Sequence, residues 1–368
     1  MKKIGITGSN GLIGYHLRVF LKNVENTELK LATRETFQSE EALLRFSEDL
    51  DVIVHLADKN VGADEDIRDI NMNISKLLTA SCDNSSTKPH LIFASSTHIE
   101  LNPNAAYSIS KKECSSYLEQ WCKDSKSSFT NLVIPHVFGE FGKPFYNSVI
   151  SSFCYQLANN EETKIIKDKA LNLLHAHDVA KGIYNIILEK KIGDQYLEGL
   201  LINVSEVRDK LIQLSNSYKN NIIPNVEKKI DSQLFNTFRS YLDEGYYPRN
   251  FILHSDDRGS LFEAMKTEQY GLTFASTTKP GITRGNHYHI DKFERFIVIN
   301  GNAVVSLRRI FSDEVTTYDV SGDNPTYIDI PTYLTHNITN TGSSDLITLF
   351  WSNVFYDENN PDTYFEEV

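Results

Sequence analysis

Thr7-Gly8-Ser9-Asn10-Gly11-Leu12-Ile13-Gly14 follows a short apolar run, Lys2–Thr7, and opens an amphipathic stretch, Leu12–Lys22. Glycine at these positions lets the backbone approach a pyrophosphate, and a helix starting at Leu12 and Ile13 offers free N–H donors and the positive end of its dipole. A three-glycine pattern is weak by itself; its place between strand and helix makes Gly8, Gly11, Leu12, Ile13 and Gly14 a candidate dinucleotide cradle. Outward from it, Leu29–Thr33, Asp51–Leu56, His90–Ser95 and Asn131–Val137 read as further strands. Glu40–Phe46, Asp66–Cys82 and Ala106–Lys123 read as the helices between them. Such alternation builds a parallel sheet covered on both faces, an α/β domain of Rossmann type.

From Phe251 the texture changes to closely spaced strand-like segments, including Arg295–Ile299, Ala303–Ile310 and Leu346–Trp351, as in a sandwich or small barrel. Gln233–Arg249 reads as the hinge, so the expected division is 1–245 (α/β) and 246–368 (all-β). A chain of 368 residues has room for two or three domains. Its 37 Lys and Arg against 49 Asp and Glu leave a net charge of −12, which argues against a general binder of nucleic acid or of an anionic membrane. Cys82, Cys114, Cys122 and Cys154 have neither zinc-finger nor disulfide spacing and read as free thiols in a reducing compartment. With no leader-like segment and no apolar run of membrane-spanning length, a cytoplasmic protein is expected.

Beyond the second strand, Ala32-Thr33-Arg34 puts an arginine where NADP carries its 2′-phosphate, although Glu35 next to it could bind the ribose of NAD. Tyr107-Ser108-Ile109-Ser110-Lys111 sets a phenol and an ammonium four residues apart on one helical face. The ammonium is expected to lower the Tyr107 pKa, making it an acid or base at neutral pH. Ala94-Ser95-Ser96-Thr97 ends the preceding strand with hydroxyls able to hold a substrate carbonyl. Together these residues resemble the extended short-chain dehydrogenase/reductase family. The resemblance implies catalysis by Ser96, Tyr107 and Lys111, with Lys111 also on the cofactor ribose. His55-Leu56-Ala57, Asn71 and His177-Asp178-Val179-Ala180 carry it further, and by it His55 and Ala57 join the cofactor site.

The β-rich half contains Gly281-Ile282-Thr283-Arg284-Gly285-Asn286-His287-Tyr288-His289, then Glu294 and Gly301. On a strand His287 and His289 would face one side. With Glu294 and the later His336 they form a plausible set for Zn²⁺ or another divalent first-row ion. The spacings Gly-x5-His-x-His-x4-Glu-x6-Gly and Pro-x4-His-x3-Asn, ending at Asn340, resemble the two boxes of the cupin family, with Tyr333 where a glycine is usual. Asp257-Arg258-Gly259 and Arg284-Gly285 are similar to the diphosphate-gripping arginines of cupin-fold epimerases acting on nucleotide-linked 4-keto sugars, which implies substrate binding by Arg258 and Arg284. In those enzymes the histidine at the place of His287 is a base, so the ion here is either catalytic or structural.

A reductase fused to such a cupin resembles the CapF-type bifunctional enzymes of capsule and O-antigen synthesis. The stretches 143–150, 153–155, 279–287 and 361–365 carry that likeness. It implies a cytoplasmic homodimer with zinc in the cupin, in the pathway to UDP-N-acetyl-L-fucosamine. The cupin would epimerise C3 of UDP-2-acetamido-2,6-dideoxy-4-hexulose, and the reductase would then reduce C4 with NADPH to UDP-2-acetamido-2,6-dideoxy-L-talose. Lys143 and Asn147 would touch the UDP-linked 4-keto-6-deoxy amino sugar. Three features depart from the pattern: Asp58 follows Ala57 where a small residue is common, Val133-Ile134-Pro135-His136 lacks an arginine, and the segment from Ser96 to Tyr107 is short. The alternatives are a dTDP-4-keto-6-deoxyhexose epimerase/reductase and, from another class, a cofactor-sensing, sugar-binding regulatory protein on the same fold.

Overall fold

The computed structural model describes residues 1–85, 87–251, 254–256, 259–261, 265–268, 271–354 and 359–368. They divide into two compact units, one of residues 1–152 with 164–207, the other of 153–163 with 208–368.

The first unit is a strand–helix alternation. Its strands are β1 (Lys2–Thr7), β2 (Thr27–Ala32), β3 (Val52–His55), β4 (His90–Ser96), β5 (Phe129–Ile134), β6 (His136–Phe138), β7 (Ala170–His175), β8 (Gly193–Tyr196) and β9 (Leu200–Asn203). Its helices are α1 (Leu12–Lys22), α2 (Glu40–Ser47), α3 (Asp64–Asn84), α4 (His98–Leu101), α5 (Ala106–Ser125), α6 (Val149–Ala158), which crosses into the second unit, and α7 (Ala176–Glu189). Six strands form one parallel sheet in the order β2-β1-β3-β4-β5-β8. The run expected over Asn131–Val137 is two strands, because Pro135 between β5 and β6 has no N–H to donate to a ladder.

Successive side chains of each strand point to opposite faces, and both faces are apolar. Ile4, Ile6, Val52, Val54, Ile92 and Leu132 pack under Leu17 and Leu21 of α1 and Val179, Ile183 and Ile187 of α7. Ile53, Leu91 and Phe93 pack under Leu43 and Phe46 of α2, Leu78 of α3 and Leu118 of α5. Cys82, Cys114 and Cys122 lie in that second layer, and all four cysteines are buried and outside any disulfide. Burial pushes the Cys82 and Cys122 thiols up to about 12. The sheet's order reverses direction at β1, flanked by β2 and β3, so a crevice lies at the carboxyl ends of β1 and β3, where such sheets bind ligands.

The second unit begins within α8 (Val204–Lys219) and continues with β10 (Ile222–Ile223), α9 (Lys229–Arg239), β11 (Arg249–Asn250), β12 (His254–Asp256), β13 (Gly259–Leu261) and β14 (Lys266–Thr267). Then come β15 (Leu272–Thr278), β16 (Thr283–Tyr288), β17 (Glu294–Asn300), β18 (Asn302–Arg309), β19 (Val315–Ser321), β20 (Thr326–Ile330), β21 (Leu334–Asn340), β22 (Leu346–Ser352) and β23 (Tyr364–Phe365). Two antiparallel five-stranded sheets, β11-β20-β17-β22-β15 and β19-β18-β21-β16-β23, make a cupin-like all-β body. Phe296, Ile328 and Phe350 from one sheet and Val305, Leu307 and Ile338 from the other share its core.

The change of texture near residue 245 and the packing division near 207 fall at different places. Helices α8 and α9 carry aromatic and polar groups that bury against the barrel. Arg295 of β17 pairs with Asp329 of β20 through Nε at 2.7 Å and Nη2 at 3.1 Å, and the Tyr218 hydroxyl of α8 donates to the same carboxylate. Arg239 of α9 lies 4.6 Å from the Phe293 ring centroid. Strand composition reports local conformation, whereas helix docking depends on which face finds a partner.

Candidate functional site

The crevice of the first unit is built on the glycine turn. Gly8 has φ +64°, and a Cβ there would lie 2.8 Å from the Ala57 nitrogen. A Cβ on Gly14 would stand 2.3 Å from the Gly8 carbonyl oxygen. The turn therefore packs directly on the loop after β3 and leaves no room for side chains. Gly11 caps α1 without a side-chain acceptor, so the first-turn N–H groups stay available to an anion. Arg18, in the second turn of α1, donates to the Ser9 carbonyl at 3.3 Å and to Asn10 Oδ1 at 3.0 Å, which fixes the glycine turn from behind. The Thr7 hydroxyl bonds to His55 Nδ1 at 2.7 Å and accepts from the Leu56 and Ala57 nitrogens at 3.1 Å each. His55 is buried, and desolvation with the nearby Lys111 charge pushes its pKa down to about 3, so it is a neutral hydrogen-bonding partner. Arg34 is exposed two residues past β2; Glu35 turns back to accept from the Thr33 hydroxyl at 2.5 Å. These residues fit a dinucleotide.

Tyr107 and Lys111 lie on α5, one turn apart, with the Lys111 ammonium 5.6 Å from the Tyr107 ring centroid. Lys111 donates to the Ala94 carbonyl at 2.7 Å and sits 4.8 Å over Phe93, which aims it at the sheet's carboxyl end. Asp58 completes the cluster: its Oδ2 is 2.8 Å from Lys111 Nζ and accepts from the Tyr107 hydroxyl at 3.2 Å. The expected lowering of the Tyr107 pKa is therefore corrected. Burial first, then the Asp58 charge and hydrogen bond, hold Tyr107 well above the ordinary phenol value. Lysine proximity alone predicted the opposite sign; burial of the phenol, with the Asp58 carboxylate adding to it, reverses it.

Asn71 of α3 fixes the loop that carries Asp58. It accepts from the Lys59 nitrogen at 2.6 Å and donates to the Lys59 carbonyl at 2.9 Å and to the Ser110 hydroxyl at 3.0 Å. Ser96, half-buried at the end of β4, accepts from the His98 nitrogen at 3.2 Å. His98 itself, unremarked in the sequence, stands edge-on to Tyr107 with ring centroids 6.4 Å apart. Tyr146 feels the Asp58 and Arg34 charges, and Lys143 lies 5.1 Å from its ring centroid. Lys143 and Asn147 are exposed on the loop before α6.

In the second unit, one ring nitrogen each of His287, His289 and His336 and a carboxylate oxygen of Glu294 lie within 4.8 Å of one another. His287 and His336 are directly paired across β16 and β21. A bulge at Asn286, with φ +57°, shifts the register before His287, β16 ends at Tyr288, and the His289 ring follows with its centroid 5.0 Å from that of His287. Tyr333, where glycine is usual, adopts φ +62° and donates its N–H to the His289 carbonyl at 2.9 Å. Asn340 steadies the turn after β21, donating to the Thr278 and Ser344 carbonyls at 2.8 and 2.9 Å.

The tautomers show what this cluster can hold. His289 Nδ1 is 2.6 Å from the Asp362 carbonyl and His336 Nδ1 is 3.2 Å from the Leu334 carbonyl; carbonyls only accept, so each Nδ1 carries the hydrogen. In neutral imidazoles the Nε2 lone pairs then face Glu294 Oε2 at 3.4 and 3.6 Å, acceptor against acceptor. A cation between them removes that repulsion, and ring N–H groups held by carbonyls are the usual support of metal-binding histidines. His287 stays neutral, because burial and the two other imidazoles push its pKa down to about 3. Asp362 accepts from the backbone nitrogens of Ile290, Asp291 and Lys292 at 3.1, 2.9 and 2.7 Å, locking the loop after His289.

A second group in the first unit, His16, Glu140 and His175, has equally close spacing but opposite tautomers. The His177 nitrogen donates to His175 Nδ1 at 3.3 Å, so His175 Nε2 carries the hydrogen that meets Glu140 at 3.0 Å. His16 Nε2 likewise faces the Glu140 carbonyl at 3.3 Å. This cluster sets His16 of α1 and His175 at the end of β7 against the same residue, Glu140. Arg284 is exposed on β16, while Arg258 lies outside the described residues.

Residues 4–199 match the NAD dependent epimerase/dehydratase family, and residues 254–364 match the polysaccharide biosynthesis C-terminal domain. A UDP-2-acetamido-2,6-beta-L-arabino-hexul-4-ose reductase of Pseudomonas aeruginosa is 30% identical over 370 residues, covering 98% of both chains. The crystal structure of the capsular polysaccharide assembling protein CapF from Staphylococcus aureus is 31% identical, with TM-score 0.61 and complete coverage of both chains. The spore coat polysaccharide biosynthesis protein SpsL of Bacillus subtilis is 26% identical over 129 residues, 32% of this chain and 85% of that one. No helix among the described residues is long and apolar enough to cross a membrane.

Proposed function

From the premise that this chain belongs to the NAD dependent epimerase/dehydratase family, and is a CapF-like sugar-nucleotide reductase using a nicotinamide cofactor, we propose that it converts a UDP-linked 2-acetamido-2,6-dideoxy-4-hexulose in two steps. The all-β domain, 246–368, epimerises C3, and the α/β domain, 1–245, reduces C4, giving UDP-2-acetamido-2,6-dideoxy-L-talose for a capsule or O-antigen sugar. The observation that carries the reading is the Tyr107 hydroxyl and Lys111 ammonium gathered on α5 against Asp58 of the loop after β3.

In the reductase site Gly8, Gly11, Leu12, Ile13 and Gly14 receive the pyrophosphate, His55, Ala57 and Lys111 line the cofactor's path, and Arg34 meets a 2′-phosphate, which favours NADPH over NADH. The reduced nicotinamide supplies hydride. Ser96 holds the keto oxygen, and the Tyr107 hydroxyl gives that oxygen its proton as the C4 alcohol forms. Lys143, Asn147, Arg258 and Arg284 are assigned to the nucleotide sugar.

In the barrel, His287, His289, Glu294 and His336 hold a divalent ion, with zinc favoured by three nitrogens and one carboxylate. Such an ion supplies positive charge in a site where a 4-keto group makes the C3 hydrogen acidic. The protein is assigned to the cytoplasm as a homodimer; light scattering of the purified protein would test the latter. Purified protein should oxidise NADPH faster than NADH when given the UDP-linked 4-keto sugar, and mass and NMR spectra should identify a talose-configured product. A faster reaction with the dTDP-linked sugar would move the assignment to the deoxyhexose series, and no turnover on either would refute it.

A further inference from the structure

Asp58 stands between the two groups that the reductase reading uses, 3.2 Å from the Tyr107 hydroxyl and 2.8 Å from the Lys111 ammonium. We propose that Asp58 is a positioning residue that keeps Tyr107 in its proton-donating form and so sets the pH at which ketone reduction gives way to alcohol oxidation. The proposal rests on that reading. It leaves the reaction's equilibrium untouched and concerns only the rate of each direction at a given pH.

The chemistry needs opposite forms of one phenol. In reduction the keto carbon gains hydride, with its two electrons, from the reduced nicotinamide, which becomes oxidised. The Tyr107 O–H bond breaks, its proton goes to the substrate oxygen, and solvent reprotonates the phenolate. Oxidation runs these transfers backwards and must begin from the phenolate. A lysine beside the tyrosine favours phenolate; a carboxylate touching both cancels that help and adds repulsion of its own.

Other groups facing Tyr107 do not supply an equivalent charge. His98 stands edge-on from α4, and burial together with Lys169 lowers its pKa. His55, which feels both Lys111 and Asp58 from β3, is neutral with a pKa of about 3. Tyr146 approaches from the loop before α6, and burial and Asp58 raise its own pKa. Lys59 and Arg34 act on Tyr146. The Asn71 hydrogen bonds to Lys59 and Ser110 hold the Asp58 loop against α5, so the contact is built into the fold.

The test is Asp58→Asn, which keeps size and hydrogen-bonding reach but removes the charge, with Asp58→Glu as the charge-retaining control. With a UDP-linked 4-keto sugar and NADPH, the alkaline fall of kcat/KM in Asp58→Asn should begin about 1–3 pH units below that of the parent. With the alcohol product and NADP⁺, the rise of oxidation should shift downward equally, while Asp58→Glu stays near the parent in both. Ultraviolet titration of tyrosinate, with Tyr107→Phe subtracted in each background, reads the same shift without substrate. Unmoved titration of Tyr107 in Asp58→Asn would overturn the proposal. A parent that fails to turn over the sugar would refute the reductase reading instead, and the titration would still decide the role of Asp58.

Discussion

Tyr107 and Asp362 show how far a single side chain's meaning depends on its neighbours. Removing the Tyr107 hydroxyl takes away the proton donor and little else, because the ring packs as before. Tyr107→Phe should lower kcat for ketone reduction by about 10²–10⁴-fold with NADPH affinity near the parent's, measured by cofactor fluorescence and initial rates. Asp362 touches no substrate in the proposed reaction. Its carbonyl fixes the His289 tautomer and its carboxylate holds three successive backbone N–H groups. Asp362→Ala should therefore weaken metal binding by about 10–100-fold, read by competition with a chromogenic chelator. Its stretch, 361–365, carried the family likeness, but the role of Asp362 was not legible before the strand ends were brought together.

At the scale of elements, the turn chemistry of β16 and β21 decides whether the histidines converge. Gly285 has φ +108°, and a Cβ there would meet the His336 carbonyl oxygen at 2.6 Å. Gly285→Ala should push β21 away at His336, lowering zinc content per chain and destabilising by about 1–3 kcal/mol, measured by metal analysis and denaturant unfolding. The box spacing of His287, His289, Glu294 and His336 was readable because ligand types recur at fixed offsets. The bulge before His287 and the end of β16 at Tyr288 were not, because both depend on pairing with strands distant in sequence. Tyr333 in a left-handed conformation makes the same point, since its neighbours' hydrogen bonds hold a turn that composition disfavours. Helices α1, α2, α3 and α5 of the first unit were legible to within two residues at either end, because periodic burial on a two-faced sheet leaves a strong pattern, whereas α4, α6 and α7 were not read.

Across the whole molecule, the two candidate sites draw on residues of different compact units, and that separates their responses. Chelation should lower the thermal stability of the second unit, by about 4 kcal/mol if the ion had been present at 1,000 times its Kd. It should abolish C3 hydrogen exchange with solvent in the proposed epimerisation while leaving NADPH binding intact; proton NMR in deuterated buffer and cofactor fluorescence read the two outcomes. Loss of both together would refute the two-site division. What the sequence by itself determined is the α/β plus all-β order, the glycine turn, the Tyr107–Lys111 pair and the residue types of the candidate metal set. Each of these follows from short-range periodicity or spacing. What only the tertiary structure decided is the sign of the Tyr107 shift, the tautomers that distinguish the His289–Glu294–His336 group from the His16–Glu140–His175 cluster, and the docking of α8 and α9 on the barrel. Those depend on charges and hydrogen-bond partners distant in sequence, and electrostatics in a low-dielectric interior acts through space rather than along the chain.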